Sequence, residues 1–284
     1  MSAPEGLVVA YKPPGITSHD VVDGVRRILG TKKVGHAGTL DPMAQGVLLL
    51  GVGRATRLLR YLSGMDKEYE GAATLGVETD TLDADGEIVR TAAVEVSREA
   101  LRSAMDRFVG EIEQVPPRYS AVKMGGRPLY ETARRGEAME APPRHVRVDA
   151  FELVRFDPPR FDFRARCSSG TYVRSLVADV GHVLGCGAHL TRLVRTRVGP
   201  FGLDRAVMLN RIRQPLPLGT AVAHLPSHRL EHPDEARAAR NGACLAPAWI
   251  EGPYALHDTD GNLIGIWRDT GASSCPEMVL APKV

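Results

Sequence analysis

Cysteine is scarce in this 284-residue chain: the four present, at positions 167, 186, 244 and 275, form no Cys-x-x-Cys pair. That spacing argues against a zinc site and against a disulfide framework, and a reducing cytoplasm fits it best. Long apolar runs are also missing. No uninterrupted stretch approaches the roughly 18 residues of a membrane span, and the N-terminus carries Glu5 and no apolar core of a secretory signal. A membrane partner is therefore not expected. Gly-Lys-Ser/Thr is absent, and Gly51-Val-Gly53 lacks the third glycine of a dinucleotide fingerprint because position 56 is Thr. Repeats and low-complexity tracts are missing too. What remains, 43% apolar and 25% charged residues, is an ordinary globular composition, long enough for one large domain and a small one.

A local absence is more telling. No Asp or Glu occurs between Asp23 and Asp41, nor between Asp41 and Asp66. Asp41 stands alone in Gly35-His-Ala-Gly-Thr-Leu-Asp-Pro-Met-Ala-Gln-Gly46, among small residues (Ala37, Gly38, Ala44) that leave room for another molecule's backbone to come close. Directly after it runs Gly46-Val-Leu-Leu-Leu-Gly-Val-Gly53, with the character of a buried strand. An acid on a glycine-rich loop beside a core strand is a candidate nucleophile; on these residues alone, an Asp-Pro turn accounts for it equally well.

Net charge is only +2, but its distribution is uneven. Of 36 basic residues 30 are Arg; residues 144–213 hold 13 Arg and 6 acids, whereas residues 66–100 hold 3 basic residues and 10 acids. Such segregation predicts one basic face turned toward a polyanion. Residues 116–147 add Arg118, Lys123, Arg127, Arg134, Arg135, Arg144 and Arg147, interleaved with Tyr119 and Tyr130. Leu129 to Arg135 has helix-forming composition.

Periodicity predicts a strand at 6–11, a helix over 20–29 capped by Thr17 or Ser18 and stopped by Gly30, a strand at 46–53, and a helix ending near Leu62. Lys67 to Val77 alternates, with Tyr69, Gly71, Ala73, Leu75 and Val77 on one side. Further expected elements are a helix over 97–108 capped by Ser97, strands near 146–155 and 161–167, and a helix over 171–184. The Pro- and His-rich stretch 206–235 reads as a linker, followed by a small β region around 255–257 and 263–267. The predicted class is α+β: a mixed, largely antiparallel sheet with packed helices, residues 1–230, then a small C-terminal β-rich domain, residues 231–284.

Several blocks then fall into one order. Tyr11-Lys-Pro-Pro-Gly-Ile-Thr-Ser18, the Asp41 loop, Asp66-Lys-Glu-Tyr69, Thr79-Asp-Thr-Leu-Asp-Ala-Asp-Gly86, Pro116-Pro-Arg-Tyr-Ser-Ala-Val-Lys123, Cys167-Ser-Ser-Gly-Thr-Tyr-Val-Arg174 and Cys186-Gly-Ala-His-Leu-Thr-Arg-Leu193 together resemble the motifs of the TruB family of tRNA pseudouridine synthases. The resemblance implies the pseudouridine synthase fold with a PUA-like C-terminal domain. It implies isomerisation of uridine to pseudouridine at position 55 in the tRNA T-arm, by a monomer without cofactor, metal or guide RNA.

Site residues carry over position by position. Asp41 matches the catalytic carboxylate and Arg174 its partner. Arg174 also stands in the first turn of a predicted helix, where a cation opposes the helix dipole by roughly 0.3–1 kcal/mol, so a partner elsewhere is expected. Tyr69 matches the residue that stacks on the target uracil and assists removal of the C5 proton, and Tyr172 and Leu193 match residues lining the base pocket. His36 matches a histidine near the place the flipped nucleotide leaves, and residues 116–147 resemble the family's thumb that closes over RNA. One region departs from the pattern: residues 231–284 hold 8 acids and 4 basic residues, a poor balance for gripping phosphate.

Overall fold

The computed structural model describes residues 3–120, 123–124, 127–128 and 141–281. The predicted helix at Leu129–Arg135, and with it half of the thumb segment 116–147, lies outside the described residues.

One sheet of nine strands organises the larger part of the chain. Its strands are β1 (Gly6–Lys12), β2 (Val34–Ala37), β3 (Gln45–Val52), β4 (Lys67–Leu75), β7 (Gly110–Gln114), β10 (Arg144–Asp157), β11 (Arg160–Cys167), β12 (Ala188–Val198) and β13 (Phe201–Gly202). Short pairs fill the gaps in the numbering: β5 (Val77–Thr79) with β6 (Ile88–Thr91), and β8 (Lys123–Met124) with β9 (Arg127–Pro128). The main order is β1-β3-β12-β4-β11-β10-β7, antiparallel throughout except where β3 runs parallel to β12. The expected mixed, largely antiparallel sheet is therefore present.

Helices form where the sequence caps them. Helix α1 (Ser18–Leu29) opens on a Thr17–Asp20 capping box and closes on Gly30 at φ 63°. A 3₁₀ turn (Gly53–Leu58) leads into the short α2 (Leu59–Ser63), so only the end of the helix expected there is α-helical. Helix α3 (Arg98–Asp106) starts at Ser97, whose hydroxyl accepts the Ala100 N–H. Helix α4 (Val173–Val183) buries Val173, Leu176, Val177 and Val180 against the Phe151, Phe161 and Phe163 side of the sheet. Gly71 on β4 faces Phe163: a Cβ there would stand 2.2 Å from the ring, so the aromatic stack requires glycine.

The stretch 206–235 is not the free linker its composition suggests. Val207 and Leu216 bridge to Ala10 and Leu7 of the edge strand β1, and Ile212, Ala221 and Val222 are buried. Proline suits such a run, because it covers a sheet edge without offering a ladder of its own N–H groups. The small sheet begins inside that stretch, four residues before the expected boundary at 231. It orders β14 (Ser227–Arg229), β15 (Pro253–His257), β16 (Leu263–Asp269) and β17 (Ser274–Val279), with helix α5 (Pro233–Arg240) packed on it. Its other face shares a core with the large sheet, where Ala255, Ile266, Met278 and Leu280 meet Leu7, Val47, Leu49 and Leu58.

Cys244 and Cys275 form a disulfide, contrary to the expectation drawn from cysteine spacing. The two are 31 residues apart, and an isolated bridge between Leu245 and Ser274 brings the Cys244 loop beside β17, which spacing cannot reveal. Cys167 and Cys186 are free and buried. No described helix is long and apolar enough to cross a membrane.

Candidate active site

The loop that carries Asp41 joins β2 to β3 and is tied down on every side. From β1, the buried Lys12 ammonium donates to the carbonyls of Pro42 (3.1 Å) and Ala44 (2.6 Å), and the Gly15 N–H reaches Pro42 O at 2.8 Å. From α1, the Ser18 hydroxyl donates to Leu40 O and accepts the Leu40 N–H, at 3.1 and 2.8 Å. From β12, Arg195 donates to Gly38 O (3.1 Å) and Val47 O (2.7 Å). Gly46 is required here, since at φ 111° a Cβ would stand 2.2 Å from Arg195 O. Of the small residues around Asp41, Ala37 and Ala44 are fully buried and serve internal packing, whereas Gly38 is partly open and lines the cavity described below.

Arg174 meets this loop from the start of α4. Its Nη2 donates to Asp41 Oδ1 at 3.1 Å, and its Nε lies 2.9 Å from Oδ2, an ion contact rather than an aligned hydrogen bond. Nη1 contacts Asp83 Oδ2 at 3.2 Å and donates to Thr81 O, and Nη2 also donates to Tyr119 O. Asp83 is itself buried and accepts from the Thr81 hydroxyl. The partner expected from Arg174's awkward place in its helix is therefore present twice. One buried guanidinium spans two carboxylates, in the fork geometry only arginine offers.

Asp41 keeps about a third of its side chain open (34% exposed), whereas Arg174 is only 4% exposed. Even so, the surrounding protein desolvates the carboxyl and raises its pKa above the ordinary value; Arg174 pulls the other way, and Asp83 adds to the rise. The open part of Asp41 faces a cavity of about 220 Å³ whose walls include Lys67, Tyr69, Tyr172, Leu193 and Arg195. Tyr69 comes from β4, its ring buried and its hydroxyl beside Arg195. Burial pushes the phenol to about 12, so at neutral pH it is a hydrogen-bond donor and almost never a phenolate. Tyr172 is held at the helix start by Gln114, which accepts its N–H and donates to its carbonyl.

Five of the six expected site residues (Asp41, Tyr69, Tyr172, Arg174 and Leu193) line this one cavity. His36 does not. It lies on β2, two residues before the loop, with a buried Nδ1 that has no partner among the described residues, and burial lowers its pKa. Sequence reasoning left unmarked the buried polar residues Lys12, Lys67, Asp83, Gln114 and Arg195. Lys12, Lys67 and Asp83 lie inside the quoted motifs, and Lys67 and Arg195 stand two residues from Tyr69 and Leu193, but a charged residue in or beside a motif does not announce burial. Ser120 is another, with a buried Oγ on the cavity wall that has no partner among the described residues.

Comparison with known proteins gives the family. Residues 26–173 match the TruB family pseudouridylate synthase (N terminal domain). The chain belongs to the TruB family. Residues 174–217 match the tRNA pseudouridylate synthase B C-terminal domain, and 232–281 the tRNA Pseudouridine synthase II, C terminal, domain. The tRNA pseudouridine synthase B of Mycolicibacterium paratuberculosis (strain ATCC BAA-968 / K-10) is 45% identical over 99% of this chain and 99% of its own. Its namesake from Opitutus terrae (strain DSM 11246 / JCM 15787 / PB90-1) is 52% identical over 75% of this chain and 89% of its own. Among solved structures, a chain of a Cbf5-Nop10-Gar1 complex superposes with a TM-score of 0.75 at 28% identity, covering 98% of this chain and 85% of that one. A chain of an H/ACA RNP bound to a substrate RNA containing 2'-deoxyuridine gives 0.74 at 26% identity, over 98% and 86%. TruB membership accounts for the order of the sequence motifs: each block supplies a wall, a tether or a charge of the one cavity.

Proposed function

We propose that this TruB-family enzyme isomerises uridine to pseudouridine in tRNA, at position 55 of the T-arm, acting as a monomer without a guide RNA. Reaction at a base demands that the nucleotide leave its stack, which costs a few kcal/mol that stacking on protein rings helps offset. Tyr69, Tyr172 and Leu193 supply that apolar and aromatic enclosure. Asp41 is the group that attacks or deprotonates the sugar–base unit, and Arg174 aims it and keeps it ionised despite burial. His36 stands beside the loop, placed to meet the RNA from which the base has swung. The observation that carries the reading is the carboxylate of Asp41, a third exposed, lining a base-sized cavity and gripped by a buried arginine.

The purified protein alone, mixed with unmodified tRNA tritiated at uracil C5, is expected to release one tritium per tRNA. Release should vanish with Asp41→Asn and with the T-arm uridine replaced. Tight tRNA binding without release would instead favour a non-catalytic tRNA binder. Release only after adding a guide RNA would place the chain with guide-dependent enzymes, a reading to which its likeness to chains of H/ACA complexes gives some weight.

A further inference from the structure

Charge around the cavity does not balance. Four cations are buried there, Lys12, Lys67, Arg174 and Arg195, against two carboxylates, Asp41 and Asp83. Both carboxylates are taken by Arg174. Among the described residues, Lys12, Lys67 and Arg195 contact no carboxylate and hold only backbone carbonyls or, for Arg195, the Tyr69 hydroxyl as well. A buried charge without a counter-ion is costly to retain. A surplus of this kind, facing a cavity, is suited to an anion that exists only during the reaction.

The reaction proposed above generates such an anion. When the C1′–N1 bond breaks, its electron pair leaves with the base, and detached uracil carries a negative charge shared by its ring nitrogen and carbonyl oxygens. Bond formation from C5 to C1′ later removes that charge. Three of the four cations line the cavity: Arg174, Arg195 and Lys67. Arg174 is committed to Asp41, and Arg195 to the loop carbonyls. Lys67 donates to Ser63 O (3.0 Å) and Met65 O (2.6 Å), which uses two of its three N–H bonds. It also shares the inward side of β4 with Tyr69, two residues along.

We infer that Lys67 is a catalytic residue that stabilises the detached uracil anion by hydrogen bond and charge, with Arg195 reinforcing the field. The inference rests on the pseudouridine synthase reading. Burial, with Arg195 beside it, lowers the ammonium to about 8, so it remains largely cationic at neutral pH.

The test compares wild type with Lys67→Met in single turnover on two tRNAs, one with uridine and one with 5-fluorouridine at the target. Fluorine makes the base more acidic and a better leaving group, so it needs less help. Lys67→Met is expected to slow loss of uridine by about 10²-fold and loss of 5-fluorouridine by a clearly smaller factor. Binding of tRNA should stay within a few-fold, and Tm should stay equal or rise. An equal defect on both substrates, or none on either, overturns the inference. Lys67→Gln, which keeps a hydrogen-bond donor, is read the same way should the methionine variant not fold. If wild type converts neither tRNA, the underlying reading fails instead, a result distinct from any behaviour of the variants.

Discussion

Strand β4 shows the protein solving two problems on its two sides. Lys67 and Tyr69 point inward, buried, with their polar atoms held by carbonyls or by Arg195. Glu68 and Glu70, their immediate neighbours, point outward and pair with Arg197 (3.5 Å) and Arg164 (3.1 Å), all four side chains between 44% and 62% exposed. The inner charges are few, desolvated and unbalanced; the outer charges are many, hydrated and matched. Because alternate residues of a strand face opposite ways, one nine-residue segment carries both. The contrast teaches that the number of charges on an element says little about chemistry, whereas a buried charge without its counter-ion says much.

That contrast can be broken most severely at Asp41. Asp41→Asn should abolish pseudouridine formation, a loss of at least about 10³-fold, while tRNA binding is largely retained. A carboxyl whose pKa is higher folded than unfolded holds its proton more tightly in the folded state, so its ionisation weakens the fold as pH rises. The Asn variant is spared that cost and should melt no lower than wild type at neutral pH. By the same sign, wild-type rates should fall on the acid side at a pH above the ordinary carboxylate range, as a pH–rate profile will show. Arg174→Lys comes next. A lysine cannot span Asp41, Asp83, Thr81 O and Tyr119 O together, and a loss of about 10²-fold in rate with roughly 2 kcal/mol of stability is expected from denaturation and turnover measurements. Tyr69→Phe keeps the ring and loses the hydroxyl beside Arg195; single-turnover rates should drop about tenfold or more with affinity intact. An unchanged rate would restrict Tyr69 to stacking. Smallest of all, Arg164→Gln on the outer side should alter stability by no more than about 0.5 kcal/mol and leave turnover alone. A large effect there would erase the distinction between the two sides.

Much of this was legible in the residues. The capped helix after Thr17, the alternation of β4 and the apolar stripe of α4 each carry a periodic signal strong enough to survive into the fold. Arg174's unfavourable place at a helix start pointed to a partner, and Asp41 is there. Other features are created only by pairing distant segments. The acids of 66–100 and the arginines of 144–213 look segregated along the chain, yet β12, β4, β11 and β10 lie side by side and bring some of them together, so that Arg147, Arg164 and Arg197 meet Asp66, Glu70 and Glu68. Asp83 and Arg195 reach the site the same way, through contacts of high sequence separation. Cys244 and Cys275 likewise needed β17 to become neighbours.

The way the last strand is fastened has a consequence for the life of the chain before it is finished. Arg57 donates to Val279 O, Arg54 to Leu280 O, and Tyr61 to Glu277, while Met278 and Leu280 complete a core begun by Leu7 and Leu49. During synthesis β1 emerges some 270 residues before Met278 and Leu280, which cover its inner side. Until then an apolar surface around Leu7, Val47 and Leu58 stays open to water and to other nascent chains. The small sheet β14–β17 thus acts on its own polypeptide as well, as the piece that closes the apolar surface the first strands leave open.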